Sequence, residues 1–184
     1  MEQPQRKLPR ITDYDYSLEG SYFVTLCTQN RARLFQMEPV GNGLCAVPQG
    51  LCAVPQGLCA VPQGLCAVPA NQIIHKWVKE TENKYPNIAI DKYVIMPDHL
   101  HFIITIKEQH TGCSLPTIMG FFKTMTTNAY IRGVKEGTLI PFYRKLWQKS
   151  YYDHVIRNQQ DYNEIWEYIE NNPTKWLLIH NENI

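Results

Sequence analysis

The run His99-Leu100-His101-Phe102-Ile103-Ile104-Thr105-Ile106 reads as a strand with two unlike faces, because side chains alternate along an extended backbone. Leu100, Phe102, Ile104 and Ile106 make one face wholly apolar, which has to be covered by helices. The other face opens on two imidazoles beside the Pro97-Asp98 turn, where a ligand can reach them. Residues 88–96 form the strand before that turn. Further out, residues 21–28 are rich in β-branched and aromatic side chains after Gly20, and residues 150–157 supply a fourth strand. Helical spacing of Ile73, Ile74, Trp77 and Val78 predicts a helix over 71–84, stopped by Pro86. A second helix is expected over 115–132, ended by Gly133, and a third over 161–171, halted by Pro173.

The order is β-α-β-β-α-β-α. Its first six elements are the split βαβ, ferredoxin-like arrangement, an α+β fold with two helices on one face of an antiparallel sheet. The last helix is extra to it. A length of 184 residues suits one domain over 1–184, and 44% hydrophobic against 19% charged residues describes a globular chain. No apolar run approaches the ~18 residues of a membrane span, and no secretory signal opens the chain, so a cytoplasmic protein is expected.

Residues 43–70 write Gly-Leu-Cys-Ala-Val-Pro-Gln three times and then Gly-Leu-Cys-Ala-Val-Pro-Ala. A proline in every unit rules out a coiled-coil heptad, and seven residues are too few for a solenoid unit. The tract is expected to be an inserted surface loop, tolerated because closure entropy grows slowly with length. It carries four of the six cysteines, leaving Cys27 and Cys113, which is neither a disulfide framework nor a zinc pattern. The net charge of +1 hides an asymmetry: residues 107–157 hold eight Lys or Arg against three acids, and residues 158–184 one against five. A basic middle beside an acidic tail permits a phosphate-tracking face and equally fits an ordinary mixed surface.

His99 and His101 can converge on one ion, yet a His-x-His pair at a strand end is also what two surface residues look like. A histidine-triad hydrolase would want a third histidine at Ile103, and the two-histidine phosphoesterases want separated His-x-Thr motifs, which the chain lacks. In the last helix Tyr162, Ile165, Trp166 and Ile169 form one buried stripe. Tyr168 lies ~110° from the centre of that stripe, with Asn172 one turn on and ~40° from it. A tyrosine outside the core therefore shares a helix flank with an amide able to ligate a hard cation.

Pro97-Asp98-His99-Leu100-His101, the segment Leu146-Trp147-Gln148-Lys149-Ser150-Tyr151-Tyr152-Asp153-His154-Val155-Ile156-Arg157, and Tyr168-Ile169-Glu170-Asn171-Asn172-Pro173 together resemble the REP-associated tyrosine transposases. These are relatives of the single-tyrosine, His-hydrophobe-His insertion-sequence transposases. The resemblance covers residues 14–176 apart from the repeats. It implies a divalent metal, magnesium or manganese, held by His99, His101 and Asn172, with Tyr168 as nucleophile. In the insertion-sequence relatives a glutamine stands where this chain has Asn172. The implied activity is cleavage and rejoining of single-stranded or hairpin DNA, at REP-like palindromes, through a 5′-phosphotyrosine, by a monomer or a homodimer. Lys123 and Arg132 are the expected DNA contacts. Two alternatives keep the fold: a hairpin-binding protein without catalysis, and a replication-initiator or relaxase nickase, which the short chain and the C-terminal tyrosine disfavour.

Overall fold

The structure, a computed structural model, describes residues 14–37, 68–108 and 113–181. Its elements run β1 (Gly20–Cys27), a 3-10 turn (Gln29–Arg31), α1 (Val68–Lys84), β2 (Ile88–Met96), β3 (His99–Ile106), α2 (Leu115–Lys135), β4 (Tyr152–Ile156) and α3 (Gln159–Asn181). The four strands form one sheet in the order β2-β3-β1-β4 with every neighbouring pair antiparallel, the expected split βαβ arrangement. The repeat-borne loop expected over 43–70 lies outside the described residues as far as residue 67. Its last three residues, 68–70, belong to α1, where Pro69 is tolerated in the first turn and Ala70 is buried.

The sheet separates two apolar clusters. Leu100, Phe102, Ile104 and Ile106 of β3 meet Tyr22, Val24 and Leu26 of β1 and are covered by Ile74 and Val78 of α1 and by Ile118, Met119 and Phe122 of α2. On the opposite face Ile103 packs with Phe23, Val94, Met96 and Ile156 under Ile169 of α3, flanked by Tyr162, Ile165 and Trp166. The expected α3 stripe is thus the face that docks on the sheet, and it docks on the histidine side. A β-bulge at Ile90/Lys92 reverses the phase of β2, so Ile88 and Ile90 face α1 and α2 whereas Val94 and Met96 face α3.

Two helix ends differ from expectation. Gly133 lies inside α2, and the left-handed residue that ends the helix is Gly137, at φ 72°. Thr138 N–H donates to Gly133 O at 2.9 Å and Gly137 N–H to Val134 O at 3.1 Å, a Schellman closure that satisfies the last carbonyls. Gly133 is needed for a different reason: a Cβ there would meet Leu139 Cδ1 at 2.6 Å. Pro173 does not halt α3 either, since the helix continues to Asn181 with the proline buried inside it. Proline φ suits a helix and costs one backbone bond, and beyond it Trp176 still joins the α3 cluster, with Arg33 5.3 Å from its ring.

Candidate active site

His99 and His101 are not surface residues: they are 8% and 3% exposed, on β3 beneath α3. Their Nε2 atoms point at each other at 3.1 Å, and each Nδ1 has its own oxygen partner. His99 Nδ1 donates to Asp98 Oδ1 at 2.5 Å, and His101 Nδ1 lies 2.9 Å from Thr25 Oγ1, its direct cross-strand neighbour on β1. A proton held on Nδ1 by Asp98 leaves His99 Nε2 as a bare lone pair. Asp98 is fixed in turn: Arg31 Nε approaches its other oxygen at 3.3 Å, and its carbonyl accepts from Thr28 N–H at 3.0 Å and Thr28 Oγ1 at 2.9 Å. This Arg31–Asp98–His99 brace and the Thr25 contact were absent from the sequence-based site. Only the adjacency of Asp98 and His99 hinted at them.

Burial sets the protonation of the pair. Desolvation pushes His101 down to about 3, helped by its neighbours His99 and Arg31. It also lowers His99, where the Asp98 carboxylate opposes the shift. Both imidazoles are therefore neutral near pH 7, the form that ligates metals.

Helix α3 brings the remaining residues. Asn172, buried at the end of the docked stripe, sets its amide 3.3 Å from His101 Nε2; turned over, the same amide presents Oδ1 at that place. One turn earlier Tyr168 is 42% exposed, its ring edge-on to His101 at 5.3 Å and to Phe23 at 5.9 Å between centroids. Phe23 stacks on His101 at 5.3 Å and closes the apolar side. Lys175 Nζ stands 6.0 Å from the Tyr168 ring. The structure thus gathers Tyr168, His99, His101 and Asn172 at one point. It does not bring Lys123 or Arg132 there: both are on α2, across the sheet. Lys123 Nζ donates to Gln148 O at 2.7 Å and Lys149 O at 2.9 Å, bracing the chain before β4, and Arg132 is on the last turn of α2.

The "Transposase IS200 like" family model matches residues 66–172, more than half of the chain and the stretch that holds both histidines, the tyrosine and the asparagine. The chain belongs to the IS200-like transposase family. An uncharacterized protein of Haemophilus influenzae is 32% identical to this IS200-like chain over 184 residues, covering 93% of it and 89% of the relative. A solved REP-associated tyrosine transposase, bound in that structure to a REP hairpin, shares the fold with a TM-score of 0.54 at 17% identity, over 90% of this chain and 73% of the other. The split βαβ sheet with an added C-terminal helix is thus a known transposase architecture. Among the described residues of this family member, no helix is long and apolar enough to cross a membrane.

Proposed function

We propose that the protein cuts and rejoins single-stranded or hairpin DNA with Tyr168 as the nucleophile. The observation that carries this reading is the position of Tyr168: half exposed on α3, its ring against His101, with Asn172 on the same flank reaching the same imidazole. The donor set fits a divalent ion. Two neutral Nε2 atoms at 3.1 Å repel through their lone pairs unless a proton or cation lies between them, and Asn172 adds an oxygen donor. Among the described residues no three His, Cys, Asp or Glu side chains are arranged to hold a metal ion, so the mixed set of two imidazoles and an amide is the candidate. Magnesium or manganese suits it when phosphate oxygens complete the shell. Such an ion, when bound, offsets the charge that develops on the phosphate.

The chain's own groups do the rest. Tyr168 Oη attacks the phosphorus and gives up its proton to solvent, and the bond from phosphorus to the 3′-oxygen breaks. The protein is left joined to the 5′-phosphate, and the 3′-oxygen takes a proton and departs as a hydroxyl. The reverse attack by a 3′-hydroxyl reseals the strand without ATP, because the phosphodiester bond energy is kept in the tyrosyl ester. Asp98 and Thr25 hold the imidazoles in place, and Lys175 adds positive charge where the phosphate arrives. Tyr168 meets the histidine of its own chain, which favours a site complete in one monomer over one shared in a homodimer. The fold shared with the hairpin-bound REP-associated enzyme supports REP-like hairpins as the substrate.

The deciding experiment incubates labelled REP-type hairpin DNA with the protein and manganese, then looks for a covalent adduct on a denaturing gel. The parent protein is expected to form it and Tyr168→Phe to form none while still binding DNA. An adduct surviving in Tyr168→Phe would move the nucleophile elsewhere, with exposed Tyr152 the next to test. A parent that binds the hairpin and never forms an adduct would leave a binding protein without catalysis.

A further inference from the structure

A concave feature lies off the histidine pair, where the 3-10 turn meets the segment before β4. A cavity of about 410 Å³ is lined there by Gln29, Asn30, Tyr143, Arg144, Lys145 and Lys149. Three of its six lining residues are cations and none is an acid. Tyr143 is 68% exposed, with the Arg144 guanidinium 5.1 Å from its ring. The walls are firmly pinned: Gln29 N–H donates to Leu146 O at 2.8 Å, Gln148 N–H to Cys27 O at 3.0 Å, and Lys123 holds the carbonyls of Gln148 and Lys149. Among the described residues the non-glycine positions with left-handed backbone are Asn30, Arg31 and Arg144, at φ 56°, 55° and 59°. All three line this cavity or adjoin it. Side chains held in that region at a cost are a mark of functional positions when a second observation agrees. Here the charge and the exposed ring agree.

We propose that this cavity takes one nucleotide of an unpaired DNA strand, its phosphate on Arg144, Lys145 and Lys149 and its base against the Tyr143 ring. The volume falls in the range of small-ligand pockets of ~300–1,000 Å³, enough for a single nucleotide and too small for a duplex. An aromatic face beside cations is the general means of holding unpaired bases, and the Gln29 and Asn30 amides supply donors and acceptors for a base edge. Asn30 adjoins Arg31, which reaches Asp98 beside His99, so a strand seated here lies one short turn of chain from the imidazole pair. Lys123, expected to touch DNA, braces the Lys149 wall through the carbonyls of Gln148 and Lys149. The inference rests on the DNA reading above but concerns binding alone.

Anisotropy titration of fluorescein-labelled oligothymidylate against the full-length Tyr168→Phe protein, without added metal, separates binding from cleavage. Tyr143→Ala is expected to weaken binding about 10-fold, within the range for one stacked base, and to have no effect when the oligonucleotide is abasic. The double variant Lys145→Ala/Lys149→Ala should lower the slope of log affinity against log salt by roughly 0.7 for each phosphate it no longer neutralises. In the protein with its cavity residues unaltered, an oligonucleotide carrying 5-iododeoxyuridine should photocrosslink to the peptide holding Tyr143. Parental affinity and salt slope in these variants, or crosslinks that avoid residues 143–149, would overturn the cavity assignment and leave the cleavage proposal standing. Absence of any oligothymidylate binding by the parent would likewise overturn the cavity assignment, whereas the cleavage proposal is judged by the adduct on hairpin DNA.

Discussion

Asp98 shows how one side chain can govern a site it never enters. Its carboxylate stands between Arg31 and His99, fixing which ring nitrogen of His99 carries the proton and which is free. Loss of such an outer partner typically lowers metal affinity 10- to 100-fold. Asp98→Asn is therefore expected to weaken manganese binding by about that factor, read by isothermal titration, while the fold persists; an unchanged affinity would dismiss the orienting role. His101 gives the acid limit. Its folded-state value is depressed to about 3, whereas the unfolded chain takes up that proton near 6.5. The unfolded state therefore binds more protons in between, and stability present above about 6.5 is lost as pH falls towards 3. Urea midpoints of the metal-free protein should decline across that window, and more gently in His101→Gln. A flat profile in the parent would contradict the buried, neutral imidazole.

The helices divide into parts that sequence rules reach and parts they miss. The β3 alternation and the α3 stripe are local periodicities, so His99, His101, Tyr168 and Asn172 fall on the right faces without any knowledge of packing. The β2 bulge leaves no local mark in Ile88-Ala89-Ile90-Asp91-Lys92, because it answers to neighbouring strands. Gly133 resembles a helix stop, but its lack of a side chain serves the approach of Leu139, and the true stop is four residues on at Gly137. Gly133→Ala should therefore destabilise the protein despite the better helix propensity of alanine, by about 1–2 kcal/mol in urea unfolding, since overpacking outweighs a propensity gain of up to ~1 kcal/mol. A variant as stable as the parent would show that Leu139 swings aside. Pro173 misleads in the same way, a local stop signal overridden because the helix beyond it packs through Trp176.

At the scale of the molecule, the sheet keeps a large cluster under α1 and α2 apart from a smaller one under α3, and the site lies within the smaller. The repeats fall between β1 and α1, and α1 packs on α2 and β2, on the side of the large cluster. Removing residues 50–63, two whole units, is expected to leave thermal stability and DNA affinity nearly unchanged, since each doubling of loop length shifts closure by only ~0.6 kcal/mol. Loss of the folded state would show that the repeats pack.

Thr25 reaches His101 across 76 positions of chain, and Asn172 reaches it across 71. No contiguous peptide holds the centre. During synthesis the histidines emerge long before the helix bearing the tyrosine, so on the proposed assignment a nascent chain lacks the group that would open a DNA strand. A product stopped before residue 168 keeps the sheet sequence but lacks the proposed nucleophile, and translation must pass residue 172 before the proposed centre has all its parts.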